Sequence, residues 1–297
     1  MFSTARTTLA LALLAVAVTA SPALARKAKK ADAPLAAPLI QRTDWVQIDP
    51  DNLLIIDTNH GRIVAELYPK FAPKTVEQIK ALARRHFYDG LTFFRVIDNF
   101  MDQTGDPTNT GQGGSDLPNV PGEFTFVRDQ AFPFITVNQQ GVTTLGISDF
   151  MPAASQSDAL MTMTASGSVQ GWGLFCAGVL GMARADDPNS GNSQFFLMRG
   201  VNDGLNHKYT AFGRVLVGMD VVKLIKTGEP VPDPQDKMVR VRLASDLPAG
   251  EAYQLTRLST SSAFYRYEIN KTHDAKGADF SPCDMDILTN TNPDLVK

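Results

Sequence analysis

Phe93-Phe94-Arg95-Val96-Ile97-Asp98-Asn99-Phe100-Met101-Asp102-Gln103-Thr104-Gly105-Asp106-Pro107 runs into a glycine-rich segment, Gly111-Gln112-Gly113-Gly114. The stretch sets one arginine, two large apolar side chains and one amide beside a loop. Such a mixture suits a shallow apolar pocket with a single cationic hydrogen-bond donor on its wall. Thr92 to Ile97 is β-prone and reads as a strand that presents Arg95. The glycines are not a phosphate loop, because no Lys-Ser/Thr follows them. They read as a tight turn beside the pocket.

Upstream, Leu53–Thr58 and Arg62–Leu67 flank Asn59-His60-Gly61, the pattern of a β-hairpin. Pro73 stands where a helix can begin, and Val76, Ile79, Leu82 and Ala83 follow at helical spacing, so an amphipathic helix is predicted from Lys74 to about Arg85. Downstream, Gly178–Ala183, Gln194–Met198 and Ala211–Val217 read as short buried strands, and Asp220–Lys226 as a short helix with Gly228 at its C-terminal cap. Met238–Leu243 alternates like a strand with one wet face. Many short strands with two helices fit a closed antiparallel barrel with helical plugs, and periodicity alone does not separate that from a sandwich.

The first 25 residues carry Arg6 as their only charge, an apolar run from Leu9 to Val18, and Ala23-Leu24-Ala25 as an A-x-A cleavage site. This is the layout of a secretory signal peptide, with a run too short to span a membrane. Residues 26–50 begin with Arg26-Lys27-Ala28-Lys29-Lys30 and an Ala/Pro-rich stretch, and read as a solvated linker. The formal net charge of the whole chain is -3, so neither sign dominates and no nucleic-acid surface is indicated. The two cysteines, Cys176 and Cys283, do not form a metal pattern; export permits a disulfide between them, and their separation leaves its geometry open. The four histidines are scattered singly, and no metal or cofactor is expected.

The Phe93–Gly114 stretch resembles the central motif of the cyclophilin family of peptidyl-prolyl isomerases. Gly178–Leu197, with Gly-Val-Leu-Gly-Met-Ala-Arg and Ser-Gln-Phe-Phe-Leu, is similar to the second signature of that family, and Leu205–Val217 to a third. The three occur in the family's order across residues 52–246. The resemblance implies a mainly β fold: a closed eight-stranded antiparallel barrel capped by two helices, over residues 51–246. Two regions depart from the compact family pattern, an insertion at about 132–173 and a C-terminal extension at 247–297. In the extension Tyr253–Leu258 and Asp286–Leu288 read as strands and Ala263–Lys271 as a helix or strand. In the insertion Phe132, Phe134, Met151, Met161, Met163 and Trp172 either pack as a satellite core or form an adaptable apolar surface for a protein partner.

The resemblance also assigns roles. Arg95 matches the donor that stabilises the twisted prolyl amide, with Gln103 beside it. Phe100, Met101, Phe196 and Leu205 match the proline pocket, Gln103 and Gln194 positions that hydrogen-bond the peptide backbone and orient the arginine, and Ala183 and Arg184 the segment that meets the substrate backbone. Arg184 stands where familiar eukaryotic members carry Asn, and Tyr209 where many carry His. Gly204 aligns with an aromatic residue that in many members helps hold the cyclic peptide cyclosporin. The implied activity is isomerisation of Xaa-Pro bonds in exported polypeptides, and the expected location is the periplasm. A non-catalytic module that binds Pro-containing segments or a protein partner is the alternative.

Overall fold

Asn59 and His60 turn the chain between two strands of the largest sheet, and Thr58 pairs with Gly61 across the turn. A computed structural model describes residues 36–291; the expected signal peptide and the first part of the linker lie outside the described residues. In chain order the elements are β1 (Trp45–Gln47), β2 (Leu53–Thr58), β3 (Gly61–Leu67), α1 (Pro73–Arg84), β4 (Arg95–Ile97), β5 (Met101–Thr104), β6 (Phe126–Asp129), β7 (Ile135–Gln140), β8 (Thr143–Ser148) and β9 (Met151–Gln156). Then come α2 (Asp158–Met163), β10 (Ser168–Gly173), β11 (Val179–Met182), β12 (Phe195–Met198), β13 (Thr210–Val217), α3 (Met219–Leu224), β14 (Met238–Leu243), β15 (Thr256–Leu258), α4 (Ala263–Lys276) and β16 (Thr289–Asn290). Among the described residues no helix is long and apolar enough to cross a membrane.

Eight strands form one curled antiparallel sheet in the order β14-β2-β3-β13-β11-β12-β5-β4. The expected closed barrel is met only in part. The ladder stops at β14 and β4, and the seam between these edges carries isolated bridges, Thr92 with Lys237 and Val96 with Gly228. The reason lies in Gly228. It does not cap α3, whose C-cap is Ile225. Its N–H and C=O instead exchange hydrogen bonds with Val96 at 2.8 Å each, so a Pro-rich loop, rather than a continuous strand, fills the seam.

The core of the half-barrel is built from the alternation read in the sequence. Leu54, Ile56, Ile63, Ala65 and Phe212 point into one cluster, which Val76, Ile79 and Leu82 of α1 and Val221 and Val222 of α3 complete. Pro73 opens α1, as its missing N–H favours. Ala72 offers no capping side chain, and the Glu123 carboxylate accepts from the N–H groups of Lys74 and Thr75 at 2.9 Å. A carboxylate there also suits the positive end of the helix.

The insertion is a sheet. β6 to β10 form five antiparallel strands in the order β6-β10-β9-β8-β7, so the folded inserted region begins at Phe126. Phe132, Phe134, Met151 and Trp172 pack in or against one apolar cluster, Met161 is buried, and of the six side chains only Met163 is largely exposed. The satellite core is therefore the reading that holds. That cluster also contains Met101 and Phe196 of the half-barrel and Tyr265, Ile269 and Phe280 of the tail.

The tail closes a third sheet, β1-β15-β16. β1 pairs Trp45–Gln47 with Leu258–Thr256, so the end of the expected linker is structured because β15 supplies its hydrogen-bond partners. The terminal strand lies at Thr289–Asn290, just past the expected Asp286–Leu288, and α4 runs to Lys276 with Ser262 capping Tyr265 N–H at 3.1 Å. Cys176 and Cys283 form a disulfide, Cα atoms 5.2 Å apart, that ties the tail to the residues before β11. It closes a loop of 107 residues, a length at which a cross-link restricts the unfolded chain strongly. Replacing both cysteines by serine should lower unfolding free energy by about 2–4 kcal/mol. Equal denaturation midpoints under matched conditions would contradict this.

Insertion, tail and half-barrel also meet at a buried polar junction. The Tyr68 hydroxyl lies 2.9 Å from Glu66 Oε2 and 2.6 Å from the Asp149 carbonyl. Arg257 of β15 reaches Glu66 at 3.5 Å and Asp149 at 2.9 Å, and Arg214 of β13 donates to the Phe150 carbonyl. Burial pushes the Glu66 carboxyl up to about 7, against the pull of Arg257 and the Tyr68 hydroxyl. The folded state thus holds this proton more tightly than the unfolded one, whose carboxyl has the ordinary value of 4.5. Its stabilising effect is full in acid and is lost as the pH rises from about 4.5 to about 7. Asp102, also raised by burial to about 7, adds a decline over the same range. In denaturation curves taken across it, Glu66→Gln should flatten the loss of stability relative to the parent. An unchanged slope would show that Glu66 is ionised throughout.

Candidate functional site

Register places the site. β4 pairs with β5 so that Arg95 faces Gln103, β5 with β12 so that Gln103 faces Phe196, and β12 with β11 so that Phe196 faces Gly181. Directly paired residues point to one side of a sheet, so cation, amide and aromatic ring stand in a row across neighbouring strands. Gly181 is required in this row, since a Cβ there would meet the Phe196 ring at 2.2 Å.

A cavity of about 150 Å³ sits on the row. Phe100, Met101, Phe196 and Leu205 give its apolar wall; Arg95, Gln103, Ala183, Arg184 and Tyr209 complete it. A larger groove of about 460 Å³ shares Gln103, Ala183 and Arg184 with it and adds Gln194 and Gly111 to Ser115. All ten residues singled out in the sequence thus fall on two adjoining cavities. Phe196 is braced by Phe175 and Tyr209, ring centroids 5.9 Å away in each case.

A chain of hydrogen bonds crosses the floor. Arg95 Nη1 donates to Gln103 Oε1 at 3.3 Å, Gln103 Nε2 to Gln194 Oε1 at 2.9 Å, and Gln194 Nε2 to the Gly113 carbonyl at 2.7 Å. Through Nε, Arg95 meets Glu229, Nε to Oε1 2.5 Å. Arg184 turns away from the floor: its Nε donates to the Lys208 carbonyl at 2.9 Å and its guanidinium lies 4.6 Å over the Tyr209 ring. Ala183 donates its N–H to the Gln194 carbonyl at 3.0 Å.

The glycine-rich turn is held by a residue that the sequence reading passed over. The Asp106 carboxylate, fully buried, accepts from Thr108 N–H and hydroxyl and from the N–H groups of Thr110, Gly111 and Gly113 at 2.6–3.2 Å. Burial pushes its pKa up, but these donors outweigh burial and hold it below the ordinary carboxylate range. Gly113 has no alternative here, because a Cβ would stand 2.0 Å from Asp106 Oδ1. Glu229 was missed as well. It lies 134 residues from Arg95 in sequence, and no periodicity connects them. Asp106 had a signal, an Asp two residues before a Thr and near several glycines, the composition of a side-chain-capped turn.

Comparison with known proteins agrees with this geometry. Residues 53–244 match the family model described as cyclophilin type peptidyl-prolyl cis-trans isomerase/CLD. A "Probable peptidyl-prolyl cis-trans isomerase" of Brucella suis is 33% identical over 214 residues, 67% of this chain and 85% of that protein. A "Peptidyl-prolyl cis-trans isomerase-like 1" of Gibberella zeae is 34% identical over 197 residues, 65% of this chain and 95% of that protein. The crystal structure of cyclophilin AquaCyp293 from Hirschia baltica is similar with a TM-score of 0.75 and 35% identity, covering 83% of this chain and 92% of that one. The chain belongs to the cyclophilin-type peptidyl-prolyl cis-trans isomerase family, and it is an isomerase.

Gly204 is exposed in the turn Asp203–Leu205, next to the Leu205 that lines the smaller cavity, and contributes no side chain. A large aromatic contact is worth on the order of 1–3 kcal/mol, about 5- to 150-fold in affinity. Cyclosporin should therefore inhibit the parent weakly and Gly204→Trp more strongly in a peptide isomerisation assay. Tight inhibition of the parent would mean that another residue supplies the rim.

Proposed function

We propose that the chain isomerises Xaa-Pro bonds of exported polypeptides without covalent chemistry, with Arg95 as the donor to the twisted amide. Rotation of a peptide C–N bond faces a barrier of about 18–20 kcal/mol because the bond has partial double-bond character. In the twisted state conjugation is lost and the proline nitrogen regains a lone pair. A donor aimed at that lone pair binds the twisted state better than the planar ground state, and only such differential binding accelerates the step. The proline ring rests against Phe100, Met101, Phe196 and Leu205, while Ala183, Arg184 and Gln194 meet the polypeptide on either side. Tyr209 closes the rim.

One observation carries this reading: of the two arginines on the cavity among the described residues, Arg95 is the one whose guanidinium is braced by amides, through Gln103 and Gln194, and it stands beside the apolar wall. A module that merely bound Pro-containing segments would need the wall but not a fixed donor. The N-terminal signal-like segment supports export, and with it a periplasmic location and exported clients. The balanced charge of the chain favours no nucleic-acid partner.

Arg95→Ala should lower kcat/KM for a Pro-containing peptide by about 10²–10³, the usual scale for one preorganised donor. The side chain is partly exposed and not part of the core, so thermal unfolding should barely move. A folded variant with near-parental activity would remove Arg95 from the mechanism.

A further inference from the structure

Glu229 is the charged partner of Arg95, and it stands on a loop built to hold it. Gly228 exchanges both backbone hydrogen bonds with Val96, the neighbour of Arg95, at 2.8 Å. Val231 N–H donates to the Phe94 carbonyl at 2.9 Å, on the other side of Arg95. Within the loop, Lys226 N–H donates to Asp236 Oδ2 at 2.7 Å, Lys226 Nζ to the Pro232 carbonyl at 2.8 Å, and Gln235 Nε2 to the Val231 carbonyl at 2.9 Å. The seam loop therefore runs alongside β4 in a fixed register, and Glu229 is the residue it sets beside Arg95.

A guanidinium is planar, with five N–H groups in a rigid fork. Gln103 takes one hydrogen of Nη1 and Glu229 takes Nε–H. Two anchors on different nitrogens fix the plane, and with it the directions of the remaining N–H groups. Glu229 lines neither cavity, and its contact with the site is the one it makes to Arg95.

Two effects of the carboxylate oppose each other. It partly neutralises the cation, which weakens a donor; it also removes the cation's freedom, which favours a reaction that depends on alignment. The Glu229 side chain is 56% exposed and that of Arg95 35%. Water screens the charge of an exposed pair, whereas it does not screen misplacement, which can cost up to about 10² in rate. Positioning therefore wins.

Resting on the reading of Arg95 as the donor, we propose that Glu229 is a positioning residue that holds the Arg95 guanidinium in its working orientation from the seam loop. The test is steady-state and double-mutant kinetics on the full processed chain with a Pro-containing peptide. Glu229→Ala should lower kcat on the order of tenfold and leave KM within about twofold. Glu229→Gln keeps an acceptor on the same stem but gives up a charge-assisted bond, about twice as strong as a neutral one, and should lose about threefold. In an Arg95→Ala background, Glu229→Ala should cost nothing further. Parental or higher kcat in Glu229→Gln overturns the proposal, because the carboxylate would then be idle or restraining. A full loss that persists in the Arg95→Ala background also overturns it, since Glu229 would be acting on the loop alone. An inactive parent, or full activity in Arg95→Ala by itself, would fail the underlying reading first and the positioning role with it.

Discussion

A cation at the end of a flexible side chain can serve as a directed donor only if something holds it still beside a dry wall. Here the pairing of β4, β5 and β12 sets Arg95, Gln103 and Phe196 in one row. The row then continues as hydrogen bonds to Gln194 and to the Gly113 carbonyl. That carbonyl is itself fixed, because Asp106 gathers the N–H groups of its loop. The arginine's orientation is thus inherited from a sheet register and a buried carboxylate. The pocket floor, the polar groove and the donor form one connected unit, and the chemistry follows from where that unit points.

Much of this was legible in the sequence because it is local. The Phe93–Gly114 stretch carries the donor, half of the wall and the loop, so its composition already describes a pocket. The hairpin β2–β3, helix α1 and strand β14 follow from alternation and from Pro73. Apart from Asp106, what escaped the sequence is long-range. Glu229 approaches Arg95 only because Gly228 pairs with Val96 across an open seam, and the same pairing explains why Gly228 does not end α3 and why the strand ladder does not close. The strands of the insertion are hard to read in the sequence because they alternate weakly and are broken by Pro133, Gly141, Gly146 and Pro152. They form a sheet because Phe150, Met151, Leu145 and Ile147 find apolar partners outside the segment, in Phe175, Tyr265 and Phe280. Trp45–Gln47 read as linker for the same reason: their partners stand more than 200 residues away in β15.

Insertion and tail bear on the site from behind. Met101 and Phe196 present one side to the cavity and belong to the apolar cluster that includes the insertion sheet and α4. Interiors are close-packed and transmit small displacements, so the wall's shape depends on how these added parts dock. Their docking is fixed by three unlike means: apolar packing, the Cys176–Cys283 disulfide, and the buried Glu66–Tyr68–Arg257–Asp149 junction. The polar junction is the one that responds to pH in the range where the Glu66 carboxyl titrates, about 4.5 to 7. The half-barrel alone would keep Phe175 and Tyr209 beside Phe196 but would lose the insertion and tail side chains of the same cluster.

The central claim is that the hydrogen-bonded row aligns the donor rather than merely binding the peptide. Exchange NMR on a Pro-containing peptide at saturating protein separates the two, since it reads the cis–trans interconversion rate on the protein while titration reads affinity. Gln103→Ala removes the middle of the row and leaves the apolar wall. The account predicts that interconversion of the bound peptide slows by about 10- to 100-fold, a scale set by misalignment, while the dissociation constant changes by less than about threefold. Bound-state interconversion at the parental rate, with affinity reduced instead, would contradict it.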